Sequence, residues 1–405
     1  MKVLMIDVVC GVQSTGRICT DLAQILEKQG DECKVAYGRN NVPAKFQKYA
    51  IKIGSKLDVY SHAFFARIFD CTGFGSILAT KRLIKKIQQY DPDIIHLHDL
   101  HGYHINVELL FKYLKKRNKP VVWSFYDCWA FTGHCAHFDY NGCDKWKKGC
   151  HNCAYKKDYP ASLIFNRAKD NYKKKKALFT GVEKMHLIAP SKWMAEMVSQ
   201  SFMKNYPMHI LPNGIDLSAF EENNMVTKKD LGIENKFVLL GVSSVWQKMK
   251  GLDDILRLAE TLPREDYAIV LVGQMPGNVR LPENVIHVSK TDSITQLCSY
   301  YSMADVFINP TLQETQGLTT VEALACGTPA VLYRSGGAAE CVDHTCGIVV
   351  PRGDVAGMRA AVEDIKEGTQ KFTKENCKAA AQKYSKDELY KPFIELYQSL
   401  TEAEE

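Results

Sequence analysis

Apolar residues in this chain come in short unbroken runs, separated by stretches in which they recur every three or four positions. "KVLMIDVV" (2–9) is the first run, and "TGRICTDLAQILEKQG" (15–30) the first helical stretch, stopping at Gly30. "CKVAYG", "DIIHLHD", "PVVWSFYD" and "MHLIAP" follow, most of them flanked by amphipathic stretches. After "PNGID" (212–216) the pattern starts again with "KFVLLGVSS", "YAIVLVGQ", "NVIHVS", "DVFINP" and "PAVLY". Strands that read as continuous apolar runs are buried on both faces, and their alternation with helices predicts parallel sheets covered on both sides. Two such series predict an α/β chain of two doubly wound, Rossmann-like domains, residues 1–205 and 206–385. The turn-rich "PNGID" and the polar "EENNMVTKKD" (221–230) mark the junction. Ligands of open parallel sheets bind beyond the carboxyl ends of the strands, so the expected site is a central cleft faced by both domains.

Composition narrows the setting. With 46% hydrophobic and 24% charged residues, the chain reads as globular. No apolar run reaches the roughly 18 residues of a membrane span. The first residues hold one lysine, an apolar run broken by Asp7 and no small-residue cleavage site, so they read as a first strand and not as a signal peptide. A cytoplasmic location is expected, and with it reduced thiols for the 14 cysteines. The net charge of +6 hides a division: residues 1–205 carry 33 Lys and Arg against 18 Asp and Glu, and residues 206–405 carry 19 against 28. The basic runs "KRLIKK" (81–86), "KYLKKRNK" (112–119) and "NYKKKKALF" (171–179) suggest a surface for phosphates, either anionic lipid or nucleic acid. Nucleic acid is the weaker reading, for no recognition-helix motif and no interleaved aromatics accompany the charge.

The stretch "NPTLQETQGLTTVEALACGTPAVLYRSGGAAE" (309–340) concentrates the chemistry. A strand ends at Pro310, a polar loop reaches Gly317, and a short helix follows, stopped by Gly327 and Pro329. A glycine before a helix start presents free N–H groups and the positive end of the dipole, which suits a phosphate. Thr319-x-x-Glu322 also has the spacing of a capping box, which alone would account for Glu322 but not for Glu314. Two carboxylates flanking an anion site suit sugar hydroxyls, since a carboxylate accepts two of them at once. A ribose, a diphosphate and a second sugar together make a nucleotide-sugar.

These residues, with "SGGAAE", "PNGID" and the Lys250-Gly251 pair of "WQKMKGLDD", resemble the retaining glycosyltransferases of family 4, of GT-B fold. The resemblance covers nearly the whole chain and is strongest over 212–354. It implies that Glu314 contacts the transferred sugar, Glu322 the ribose and Lys250 the diphosphate, while the backbone of Gly317, Leu318 and Thr319 cradles the leaving group. It implies a C-terminal helix, within 386–405, that crosses back to the first domain, which "SKDELYKPFIELYQSL" fits. Chemistry of this kind needs no metal, and no DxD-like motif stands where one would bind. Two positions depart from the pattern. Ser244 stands where the family has an arginine, leaving Lys248 to supply the charge or Trp246 to reshape the pocket. Tyr126 stands where the family has a histidine, followed by Asp127, a candidate base for the acceptor hydroxyl. In the first loop, "CGVQSTGRI", Gly16 is implied as a donor-phosphate contact and Arg17 as an acceptor contact.

Two clusters remain. "HLHDLHGYH" holds His96, His98, His101 and His104; strand alternation puts His96 and His98 on one face without a completing Cys or Glu. His98 and His101 are therefore read as acceptor-cleft lining or packing before metal ligands. The insertion "CWAFTGHCAHFDYNGCDKWKKGCHNC" (128–153) spaces Cys135, Cys143, Cys150 and Cys153 as a structural zinc set would, with free thiols as the equal alternative. The expected partners are a nucleotide-sugar, a saccharide or lipid-linked saccharide, and the inner face of an anionic membrane held by lysines alone, no apolar anchor being visible. Surface-polysaccharide synthesis (capsule, exopolysaccharide or lipopolysaccharide) is the expected setting. A nucleotide-sugar epimerase of the same fold, or a sugar-binding homologue without activity, is the alternative.

Overall fold

The computed structural model describes residues 1–277 and 279–403. The chain divides into two compact units, Met1–Leu211 with Tyr390–Glu405, and Pro212–Leu389. The divisions thus fall at Leu211/Pro212 and Leu389/Tyr390, a few residues beyond the sequence-derived ones.

The first unit is built on seven parallel strands: β1 (Lys2–Asp7), β2 (Glu32–Tyr37), β3 (Ala50–Lys52), β4 (Ile94–Leu97), β5 (Val121–Ser124), β6 (Met185–Ala189) and β7 (Met208–Ile210). Their order is β3-β2-β1-β4-β5-β6-β7. The connecting helices are α1 (Gln13–Lys28), α2 (Lys56–Phe69), α3 (Ile77–Tyr90), α4 (Val107–Arg117), α5 (Lys145–Lys148), α6 (Ala168–Phe179) and α7 (Lys192–Ser199). Residues 3–6 of β1 are fully buried, as a strand covered on both faces must be. In α1 the buried Ile18, Cys19, Leu22, Ala23 and Leu26 form one stripe, and Gly30, at φ +86°, turns the chain away after it.

The second unit repeats the plan with β8 (Phe237–Val245), β9 (Tyr267–Gln274), β10 (Val285–Val288), β11 (Val306–Asn309), β12 (Ala330–Tyr333) and β13 (Gly347–Val350), in the order β10-β9-β8-β11-β12-β13. All neighbours are parallel. Its helices are α8 (Leu252–Thr261), α9 (Ile294–Met303), α10 (Leu318–Ala325), α11 (Val355–Glu367), α12 (Lys374–Gln382) and α13 (Lys386–Leu389). The stretch expected as one final helix is two: α13 stops before Tyr390, and α14 (Lys391–Glu402) starts anew with Pro392 in its first turn. α14 belongs to the first unit, where it buries Phe393, Ile394, Leu396 and Tyr397. Strand order reverses its direction of winding at β1/β4 in one sheet and at β8/β11 in the other, and in such sheets these are the places where loops diverge to leave a binding crevice.

Candidate active site

In the second unit the loops leaving β8 and β11 meet at its reversal point. The first carries Lys250 in a single turn, Lys248–Lys250; the second carries Glu314 and ends at Gly317. Lys250 Nζ lies 2.5 Å from Glu314 Oε2, both side chains being about a quarter exposed. The loops are joined by backbone as well: Leu312 N–H donates to the Met249 carbonyl at 2.8 Å, and Thr311 Oγ1 to the same oxygen at 3.2 Å. Gly251, at φ +76°, explains the Lys-Gly pair: a Cβ there would stand 2.1 Å from the Pro310 carbonyl oxygen. Gly336, at φ +57°, does the same on the other side, where a Cβ would lie 1.9 Å from the Glu314 carbonyl oxygen. Close backbone approach at both glycines sets the Glu314 loop.

The eight-residue α10 begins after Gly317, which is its N-cap at φ +80° and has no side chain with which to cap it. Leu318 and Thr319 are therefore the first two helical residues, and their N–H groups belong to the set that a helix leaves for a ligand or water. This removes the capping-box reading of Glu322, which sits a full turn inside the helix. Glu322 Oε2 instead accepts from the hydroxyl of Tyr301 on α9 at 2.9 Å. Ser244 and Lys248 are exposed at the end of β8 and just after it. Trp246 reshapes no pocket: it is 2% exposed, packed in the core, with Nε1 donating to the Val272 carbonyl at 3.1 Å.

Three residues of this site escaped the sequence reading. Asn213 of "PNGID" takes a two-way amide pair with Gln316: Asn213 N–H and Nδ2 donate to Gln316 Oε1 at 2.9 and 2.8 Å, and Gln316 Nε2 donates to the Asn213 carbonyl at 2.8 Å. Both are buried, so the motif before the second sheet acts as a strut for the loop between Glu314 and Gly317. Tyr301 is the third. The spacing between Asn213 and Gln316 gives no sign of the contact; the presence of two amides in otherwise recognisable motifs was the available signal.

In the first unit a second group collects at the carboxyl ends of β1, β4 and β5. His101 lies between Asp99, which contacts its Nδ1, and Asp127, whose Oδ2 is 3.1 Å from its Nε2. Its ring stacks on Trp129 with centroids 5.5 Å apart. Burial opposes charge on His101, but the two carboxylates outweigh it and hold the imidazolium well above the usual histidine range. Burial would raise Asp127, yet His101 overcomes it and keeps the carboxylate below its ordinary range. Asp127 Oδ1 also accepts from Trp129 N–H at 2.8 Å, so both oxygens are engaged and the group is a weaker base than a free carboxylate. His98, neutral because burial pushes it down to about 3, shares a 2.8 Å hydrogen bond with the Tyr126 hydroxyl. His96 is a packing residue, held at 2.6 Å by Tyr397 of α14 and at 2.8 Å by Ser124.

Gly16 is buried in the first turn of α1, where a Cβ would come within 2.9 Å of Val9 and 3.1 Å of the Gly11 nitrogen. Close packing of the loop under the helix is what requires glycine here; Arg17 beside it is exposed. Next to this loop Asp7 is fully buried, and burial, with the Asp99 charge adding to it, raises its carboxyl to about 7.

Cys135, Cys143, Cys150 and Cys153 line one pocket, together with His134 and His151. Gly133 N–H donates to Cys150 Sγ at 3.2 Å. Among the described residues no three His, Cys, Asp or Glu side chains form a group that holds a metal ion. The insertion packs into the core of the first unit: Trp146 is buried against Phe131 and Phe138, with centroids 5.3 and 4.6 Å away.

The chain is similar to known proteins along its whole length. Residues 15–219, just over half of the chain, match the family described as Glycosyltransferase Family 4, and residues 236–367 match Glycosyl transferases group 1. Over 99% of its length the chain is 23% identical to WcaC of Escherichia coli (strain K12), whose name assigns it to colanic acid biosynthesis as a glycosyl transferase, and it covers all of that protein. It is 30% identical over 37% of its length to a D-inositol 3-phosphate glycosyltransferase of Pseudarthrobacter chlorophenolicus, covering 39% of it. Among solved structures, sucrose-phosphate synthase of Thermosynechococcus elongatus superimposes with a TM-score of 0.72 at 15% identity, over 99% of both chains. HepE of Anabaena in complex with UDP superimposes with a TM-score of 0.68 at 16% identity, over 98% of this chain and 100% of that one. These last two likenesses are of fold.

Proposed function

Since the chain belongs to glycosyltransferase family 4, we propose that it moves a hexose from a nucleotide-sugar to a glycan or lipid-linked saccharide with retention of configuration. The observation that carries the reading is the Lys250–Glu314 pair beside the uncapped start of α10, at the reversal point of the second sheet. In this structure the two charges satisfy each other. A bound donor would separate their tasks. Lys250 and the first amides of α10 take the diphosphate, whose charge grows as the sugar–phosphate bond breaks. Glu314 accepts hydroxyls of the transferred sugar, and Glu322, oriented by Tyr301, those of the ribose. Charge stabilisation by these groups suffices without a metal. Ser244, Lys248 and Gly16 serve the donor phosphates in this reading, and Arg17 the acceptor with Tyr126, His98, His101 and Asp127. The His101 imidazolium between two carboxylates then fixes Asp127 as a hydrogen-bond acceptor for the incoming hydroxyl.

A UDP-sugar is the favoured donor, supported by a structural neighbour solved with UDP and UDP-glucose; a GDP-sugar is second. Surface-polysaccharide synthesis is supported by the resemblance to WcaC along the whole chain. The acceptor would then be reached from the cytoplasmic face of the membrane; among the described residues no helix is long and apolar enough to cross one. A structural zinc on Cys135, Cys143, Cys150 and Cys153 is part of the proposal, supported by four thiols on one pocket and requiring them to close around the ion. The test is a panel of UDP-, GDP- and ADP-sugars with and without lipid-linked acceptor. Nucleoside diphosphate released only with acceptor is expected. Sugar inversion without release would indicate an epimerase, and binding without either a sugar-binding homologue.

A further inference from the structure

α2 exposes apolar residues where a helix in water exposes polar ones. Val59, His62 and Ala66 face the core, yet on the outer side Leu57 is 74%, Tyr60 70%, Phe64 61% and Phe65 52% exposed. These positions form one continuous helical stripe. The stripe extends onto a neighbouring strap. Leu163 N–H donates to the Arg67 carbonyl at 2.7 Å and Phe165 N–H to that of Ile68 at 3.1 Å. Leu163, Ile164 and Phe165 are themselves exposed. Phe165 stacks on Phe69 at 5.4 Å, and Phe69 on Phe65 at 6.1 Å. α3 adds exposed Ile77 and Leu78, its start tied to α2 by the 3.0 Å contact of Ser76 Oγ with His62 Nδ1. So large an apolar surface on one helix and its strap marks an interaction site.

We propose that this face is a membrane-docking surface, on which the first unit rests on an anionic bilayer. The charge around it selects that occupant. Residues 50–86 contain Lys52, Lys56, Arg67, Lys81, Arg82, Lys85 and Lys86 against Asp58 and Asp70, and Asp70 is buried, in hydrogen-bond contact with His134. Lys56 and Arg67 fall along one margin of the stripe, and Asp58 is held below the usual carboxylate range mainly by its hydrogen bonds with Ser55, with Arg82 adding the smallest share. A helix that turns such apolar side chains outward lies in the interface plane, those side chains among the acyl chains and the flanking cations at the headgroups. A second copy of the chain would bring two such cationic rims together, which favours the bilayer.

The lysine runs expected to make this contact are largely committed elsewhere. Lys175 is 1% exposed, its Nζ donating to the Trp129 carbonyl at 2.7 Å and lying 3.5 Å over the Trp129 ring. Lys174 and Lys112 both pair with Glu108, at 2.6 and 2.8 Å. Lys119 pairs with Asp91 at 3.0 Å, and Lys115 donates to the Ala177 carbonyl at 3.0 Å. These lysines hold α4, α6 and their neighbours together.

The proposal rests on a lipid-linked acceptor for its purpose but not for its evidence, so the two are tested apart. Full-length protein is floated with phosphatidylcholine vesicles, with and without about a third of phosphatidylglycerol, at low and high salt. Binding to the anionic vesicles is expected, with a remainder that salt does not remove. Phe64→Ser with Phe65→Ser, both exposed and so compatible with folding, should lower partitioning by about tenfold or more. Lys81→Glu with Lys85→Glu should remove the salt-sensitive part, and Lys173→Glu with Lys176→Glu should change nothing. The proposal is overturned if the wild type binds no vesicle, or if the phenylalanine variant binds as the wild type does. It is also overturned if that variant alters sedimentation of a dimer while vesicle binding persists, since the face then belongs to a second copy. Transfer to a soluble acceptor is followed in parallel and should survive the phenylalanine changes. Docking without any transfer would refute the transferase reading alone.

Discussion

Gly251 and Gly336 place the Glu314 loop by what they lack. Each has positive φ, and each would meet a carbonyl oxygen if it carried a Cβ. Gly251→Ala is therefore expected to cost about 1–3 kcal/mol of stability and to raise donor KM, since the loop it packs on carries the partner of Lys250. A urea titration and a donor saturation curve check both effects. Glu322→Gln separates binding from folding: a glutamine oxygen still accepts from Tyr301, so stability should stay within about 0.5 kcal/mol while donor KM rises. Unchanged KM would leave Glu322 as a packing residue. Asp7 gives a pH signature. Its carboxyl, ordinarily near 3.8, is raised to about 7 by burial, so its contribution to stability is full below about pH 4 and is lost as pH climbs through 7. Asp7→Asn should gain nothing near pH 4, gain progressively towards pH 7, and level off above it at roughly 4 kcal/mol, about 1.4 kcal/mol for each of about three pH units. A pH-independent difference in urea midpoints contradicts this. At this scale the sequence made Lys250, Glu314 and the start of α10 legible, because their motifs are local. It left Asn213, Gln316 and Tyr301 unread, because their partners are set by the fold.

Among the elements, the apolar runs located most strands, and β9 spans the residues of its run, Tyr267–Gln274. The edge strands β3, β7 and β13, three or four residues long, passed unnoticed. α2 was missed for another reason: with apolar side chains inward and outward it has no polar face for periodicity to find. The Cys-rich insertion shows the opposite error. Its thiols draw the eye, while Phe131, Phe138 and Trp146 anchor it in the core of the first unit, a packing that spacing alone cannot reveal. Zinc is tested by elemental analysis of purified protein, where about one equivalent is expected and is lost in Cys150→Ser with Cys153→Ser. Metal-free protein that is folded and active contradicts it.

For the whole molecule, two doubly wound sheets followed from two series of apolar runs, and the motif order led to the family. The strongly cationic first half was legible as a count, but which lysines are free was not: Lys175 reads as a surface charge and is buried, for only the fold brings Trp129 over it. The central claim is that Lys250 stabilises charge developing on a departing nucleoside diphosphate. The measurement that meets it most directly is acceptor-dependent release of that diphosphate at saturating donor, for the wild type and for Lys250→Ala. The loss should appear in kcat and not only in KM, by about a hundredfold or more, because the charge on the leaving group is greatest in the transition state. An unchanged kcat, with acceptor-dependent release intact, would remove Lys250 from the chemistry and contradict the account.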